Sequence, residues 1–161
     1  MSRRRELLLG LAAALKRFES DCSKLALQAL PAAVRKAEDI AAAFNALTRD
    51  QAQGLLVAQP GTFIVWRDSI LQHAARHRLP AIYVGSAWTE AGGLLAYGPY
   101  FSDLYRRAAA YADKIFKGAK PGDLPIEQPN KFRLTVNLKT ARALGVTIPQ
   151  SILLSADRVI E

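Results

Sequence analysis

GLLVAQPGTFIVWRDSILQHAARHRLPAIYVG, residues 54–85, decides the fold class. Its first eight residues have a strand's apolar density and end in a Pro-Gly break at Pro60 and Gly61. Thr62 is placed to cap a following helix, FIVWRDSILQHAARHRL, in which Phe63, Trp66, Ile70, Leu71 and Ala74 fall along one side. LPAIYVG, residues 79–85, is the next strand. Short connections between strand, helix and strand predict right-handed crossovers and a parallel sheet, so the chain is read as α/β with a mainly parallel sheet.

Working outward, Glu38 and Asp39 lead into IAAAFNAL, where Ile40, Ala43, Phe44 and Leu47 recur at helical spacing and the acids sit where the helix dipole favours them. Upstream, LALQALPA, residues 25–32, reads as a short buried strand ended by Pro31. Downstream, EAGGLLAYGPYFSDLY sets three glycines and a proline around Leu94 to Tyr97, a strand entered and left through tight turns. A helix from Phe101 to Phe116 follows, with Leu104, Ala108, Tyr111, Ala112 and Ile115 expected to face inward and Gly118 to stop it. KPGDLPIEQPNK is a Pro-rich connector, and KFRLTVN, residues 131–137, alternates like a half-exposed strand. Asn137 can cap LKTARALG, which Gly145 ends, and Pro149 opens a last helix, PQSILLSADRVIE.

At 161 residues, half of them apolar, the chain fits one globular domain with a real core and has no room for a second. That domain is placed at residues 25–161, after a basic and apolar segment, residues 1–24. MSRRRELLLGLAAAL has the charged and apolar regions of an export signal, but Glu6 interrupts them and no small-x-small site follows before Lys16. The other reading is an amphipathic helix running to about Lys24, and both stay open. No later stretch is long and apolar enough to cross a bilayer.

The net charge of +8 raises nucleic acid as a partner, yet beyond Arg3, Arg4 and Arg5 the basic residues are dispersed, which argues against it. Cys22 is the only cysteine, so neither an intrachain disulfide nor a thiolate metal cluster can form. His73 and His77 share a helix face at the spacing used in zinc sites, but the metalloprotease Glu is missing and two partly packed histidines are the better account. Ser86 follows Gly85 at a strand end without the glycine two positions later that a nucleophile elbow needs. GSAWTEAGG lacks the Gly-Lys-Ser/Thr ending of a phosphate loop. No enzyme, metal or cofactor is therefore expected.

Ligands of open α/β sheets sit beyond the carboxyl ends of the strands. Here those loops carry Gln59, Thr62, Ser86, Trp88 and Glu90, joined by Tyr97 after the next strand. Aromatic faces and a few polar groups suit a small polar ligand with an apolar part. Core packing is the competing reading for Trp88 and Tyr97.

LPAIY, EAGGLLAYGP, DLYRRAAAYADKIFKGAKPGDLPIEQPNKF and LTVNLKTARALGVTIPQSIL, in this order, resemble the C-terminal portion of the ABC-transporter substrate-binding protein family related to tryptophan and tyrosine binders. The resemblance runs from about Leu25 to Glu161. It implies a Rossmann-like three-layer sandwich, one lobe of a type I periplasmic-binding fold, that binds amino acids or small aromatic or organic acids without chemistry and docks on ABC permease subunits. It also implies a periplasmic or membrane-associated location if the N-terminus is an export signal. In two-lobed members the chain crosses between lobes, and Gly92 to Gly98 is where one crossing is expected. Members carry a complete first lobe before this region, whereas this chain passes from its signal-like segment almost directly into the second. The alternative to solute binding is thus an interaction module that forms a homodimer through the face such a lobe would cover.

Overall fold

The structure, a computed structural model, describes residues 15–58 and 61–161; the apolar run that suggested a signal falls largely outside them. Residues 15–24 are helical (α1). The predicted strand at 25–32 does not form. Leu25 and Leu27 donate their amides back to the Cys22 carbonyl, Ala26 takes a positive φ, and both leucines are exposed. Among the described residues no strand lies beside this apolar stretch to pair with it.

Helix α2, Asp39–Arg49, buries Ile40, Phe44 and Leu47, and the Asp39 carboxylate accepts hydrogen bonds from the amides of Arg35 and Lys36 just before it. Strand β1, Leu55–Leu56, leads into a 3-10 turn, Gly61–Ile64, and then into α3, Arg67–Arg76. The helix expected from Phe63 thus starts later, and its N-cap is Trp66 in place of Thr62. Strand β2, Ala81–Tyr83, short helix α4, Ser86–Glu90, and strand β3, Leu95–Pro99, complete the strand and helix series. Helix α5 spans Phe101–Phe116, and β4, Phe132–Asn137, returns to the sheet. Helices α6, Leu138–Leu144, and α7, Gln150–Ser155, follow. The last helix is shorter than expected: Arg158–Ile160 form a strand, β5, because Asp157 exchanges backbone and carboxylate hydrogen bonds with Leu134 and sets the chain beside β4.

The five strands lie in sequence order. β1, β2 and β3 are parallel, β4 runs antiparallel to β3, and β5 is parallel to β4. This single reversal explains the layering. Right-handed crossovers from β1 to β2 to β3 put α3 and α4 on one face, and the same handedness applied to reversed strands puts α6 and α7 on the other. The two cores agree: Ile40, Phe44, Ile70, Ala74, Tyr83, Trp88 and Ala96 form one, and Leu94, Val136, Ala141 and Ile148 the other. The result is an α/β three-layer sandwich.

Helix α5 stands outside both cores. Its only buried residue is Asp103; Ala108 and Ile115 are exposed, and Leu104, Tyr111 and Ala112 are half-buried, so the expected inward face is largely uncovered. The chain leaves the sheet after Pro99, beyond the Gly92 to Gly98 stretch, and comes back at Lys131, whose carbonyl accepts the Tyr100 amide. Asp103 fastens this excursion, accepting from Arg107 Nε at 2.9 Å and Lys131 Nζ at 3.1 Å. Tyr111 donates to the Pro125 carbonyl at 2.6 Å.

Two predictions follow from the packing. A Cβ on Gly93 would lie 2.8 Å from the Tyr83 ring and 2.9 Å from the Trp88 carbonyl; Gly93→Ala should therefore lower unfolding free energy by about 1–3 kcal/mol in urea titration. The Lys131 hydrogen bond, with the charges of Lys131 and Arg107, outweighs desolvation and holds the Asp103 carboxyl below its ordinary range. A lowered folded pKa means that its contribution is full above the ordinary aspartate value, about 3.9, and is lost as pH falls through the folded value. Hydrogen exchange in α5 should accordingly rise on acidification only below about pH 4, and Asp103→Asn should abolish that dependence.

Candidate functional site

The sheet's first three strands all end at one rim. β2 runs through Val84 to Gly85, whose φ of +93° turns the chain into α4. The rim is closely built there. A Cβ at Gly98 of β3 would lie 2.9 Å from Val84 Cγ1 and 3.0 Å from the Gly85 nitrogen, and one at Gly85 would lie 3.1 Å from the Phe101 ring. Glycine at both positions lets the β2–α4 turn lie directly against β3 and the start of α5.

Ser86 opens α4 at this rim, half-buried, and its carbonyl accepts the Thr89 hydroxyl at 2.8 Å. Trp88, two residues on, points inside. It is 1% exposed and stacks on Tyr83 with ring centroids 4.8 Å apart and planes 11° apart. That places it in the core, the competing reading, as the floor beneath the rim. Burial of Tyr83 pushes its phenol up to about 12.

Glu90 ends α4 in an ion pair with Arg158 of β5. Tyr97 is half-exposed and stacks on Phe132 at 5.6 Å. Strand alternation puts Tyr97 with Leu95 and Val136 on the α6 face, whereas Ala96 and Gly98 face α4. Ser86 and Tyr97 therefore flank opposite faces of the sheet. Gln59 lies outside the described residues, and Thr62 falls in the 3-10 turn that follows β1.

The rim gains Phe101 and Arg133, with Tyr100 beside the latter, which sequence reasoning did not single out. Phe101 is 41% exposed beside Gly85, and Arg133 pairs across from Gly98, so it shares the Ser86 face. Its guanidinium lies 4.1 Å from the centre of the Tyr100 ring. The alternation of KFRLTVN puts Arg133 and Thr135 on one face, but only the register with β3 shows which. A hydroxyl, aromatic rings and a guanidinium at a strand-end rim can hold a small anion or zwitterion with an apolar part.

His73 and His77 pack over Phe44, with ring centroids at 5.3 and 5.7 Å. His77 Nδ1 lies 2.8 Å from the Thr48 hydroxyl. Among the described residues no group of three or more His, Cys, Asp or Glu side chains could hold a metal ion. A separate open groove of about 380 Å³ runs between α5 and the connector, lined by Leu104, Tyr111, Leu124 and Pro125.

In open α/β sheets, ligands sit beyond such a rim of parallel strand ends. The family model described as ABC transporter substrate binding protein matches residues 12–160, and the chain belongs to that family. Among solved structures, a conserved domain protein from Vibrio cholerae superposes with a TM-score of 0.84 at 19% identity, over 92% of this chain and 50% of that one. An ABC domain from Streptococcus pneumoniae in complex with L-Trp gives 0.83 at 26% identity, over 92% and 51%. A ligand-free, open substrate-binding protein with adhesive properties from Clostridium difficile gives 0.64 at 18%, over 94% and 50%. The chain spans about half the length of these structures. No curated protein matches it.

Gly98→Ala tests how tightly the rim is built. The methyl group meets backbone at Gly85 as well as the Val84 side chain, so stability should fall by about 1–3 kcal/mol in chemical denaturation. Amide shifts in NMR should concentrate at residues 84–86 and 101.

Proposed function

We propose that this chain is the solute-binding element of an ABC importer and that residues 25–161 form its binding domain. The observation that carries the reading is the family match across nearly the whole chain. The solute sits at the rim made by the β1, β2 and β3 ends. Gln59 and Thr62 lie on its β1 side by sequence position, Ser86 supplies a hydroxyl, Phe101 an apolar wall and Arg133 a charge for a carboxylate. Trp88 supports the floor, Glu90 anchors α4 through Arg158, and Tyr97 contacts solute only from the far face. An amino acid or a small aromatic or organic acid suits these groups, in keeping with the L-Trp bound by the pneumococcal relative. Permease subunits of an ABC transporter are the partners that follow, and a location outside the cytoplasm goes with that role. Among the described residues no helix is long and apolar enough to cross a membrane. Binding and release without covalent change complete the task, so no catalytic group is assigned.

Titration calorimetry of the folded chain against amino acids and small aromatic acids tests this reading. Saturable binding is expected, with Arg133→Gln weakening carboxylate ligands about tenfold or more and Ser86→Ala by about two- to tenfold. Absence of heat for every ligand, from protein shown to be folded by circular dichroism, overturns it.

A further inference from the structure

Helix α5 carries an apolar stripe whose large side chains no other described residue covers. Phe101, Tyr105, Ala108, Ala112 and Phe116 follow the i, i+4, i+7, i+11, i+15 rhythm of one helix face and span about 22 Å at 1.5 Å per residue. The large members are out in solvent: Phe101 is 41%, Tyr105 75% and Phe116 89% exposed. The connector shields the neighbouring flank, where Leu104 and Tyr111 are half-buried. The stripe itself touches neither core.

We propose that this stripe is a two-fold interface between α5 helices of two copies of this chain, packed antiparallel about an axis between Ala108 and Ala109. The side-chain sizes carry the proposal. About that axis Phe101 comes opposite the other copy's Phe116, Tyr105 opposite its Ala112, and Ala108 opposite its Ala109. Aromatic side chains thus close the two ends, the bulky Tyr105 meets a small residue, and alanines at the centre let the backbones approach.

Charge agrees with size. Arg106 and Asp113 share one flank of the stripe, and the same axis brings each alongside the opposite charge of the other copy. Both are free to do so: the Arg106 side chain is 74% exposed and reaches Asp103 only at 3.5 Å, while Asp113 is 59% exposed in a surface pair with Lys117. A heptad-like self-match in both volume and charge is what an isologous contact requires, where one patch must complement itself. The proposal stands apart from the solute-binding reading, since no residue of the stripe but Phe101 borders the rim.

Sedimentation velocity of the full chain at micromolar concentrations, without added solute, is the test. A reversible dimer is expected. Ala109→Glu should yield monomer with an unchanged circular dichroism spectrum. Arg106→Asp and Asp113→Arg should each weaken the dimer at least about threefold, and the two together should restore it. In a Cys22→Ser background, Ala109→Cys should give a disulfide-linked dimer on mild oxidation. A monomeric wild-type chain overturns the proposal, as does a dimer that Ala109→Glu leaves intact or a charge exchange that fails to restore association.

Discussion

The flat contact between Tyr83 and Trp88 holds the rest of the structure in place. Helix α4 has five residues, too few to be stable alone, so tertiary contact must fix it. Trp88 does so by lying on Tyr83 beneath Ala96, and the absence of a side chain at Gly93 lets the turn after α4 close over the same pair. Once α4 is fixed, Gly85 and Ser86 have one position, β3 enters the sheet in register beside β2, and the rim is defined. Burial of an aromatic pair of this size stabilises by several times the energy of any surface ion pair in the chain. The buried tyrosine remains protonated far into the alkaline range because its ionised form has no favourable surroundings.

Asn137 makes the second half of the sheet depend on the first. Its side chain donates to the Thr89 carbonyl at the end of α4 and accepts the Thr140 amide at the start of α6, both at 3.0 Å. One buried amide therefore ends β4, caps α6 and ties the reversed strands to the helix beneath the parallel ones. Thr140 adds a hydroxyl bond to the Gly92 carbonyl. The bond from Asn137 to Thr89 is buried, so losing it would leave a buried polar group unpaired.

What the chain shows on reading and what it conceals divide along physical lines. Strong apolar periodicity with a clear stop located α2, β2, β3, α5, β4 and α6 closely, and Asn137 and Gly145 cap α6 as their chemistry requires. The failures sit where tertiary partners decide. Residues 25–32 are as apolar as a strand but have none beside them, and Arg158–Ile160 became a strand only because Asp157 bonds to Leu134. Site residues were legible as loop positions, not as a face. Strand alternation was visible in β4, whereas β3 read only as a short apolar segment between turns, and their pairing register decides that Arg133 joins the Ser86 side and Tyr97 the other. Trp88 was ambiguous for the same reason: an aromatic residue two positions after a strand end can face the rim or the core, and the Tyr83 ring beneath it chose the core.

Helix α5 presents the remaining contrast. Its hydrophobic pattern is as clear as that of α2, and from pattern alone both would be assigned a buried face. In α2 that face is covered by α3, β1 and β2; in α5 the cover is a thin connector on one flank. What holds α5 in place is polar: the buried Asp103 carboxylate bound by Arg107 and Lys131, and Tyr111 bound to Pro125. An amphipathic helix fixed by its polar side keeps its apolar side outward without collapsing onto the nearest core. Such an arrangement leaves exposed apolar area that water penalises at every copy, and the penalty is removed only when another surface of matching shape comes down on it.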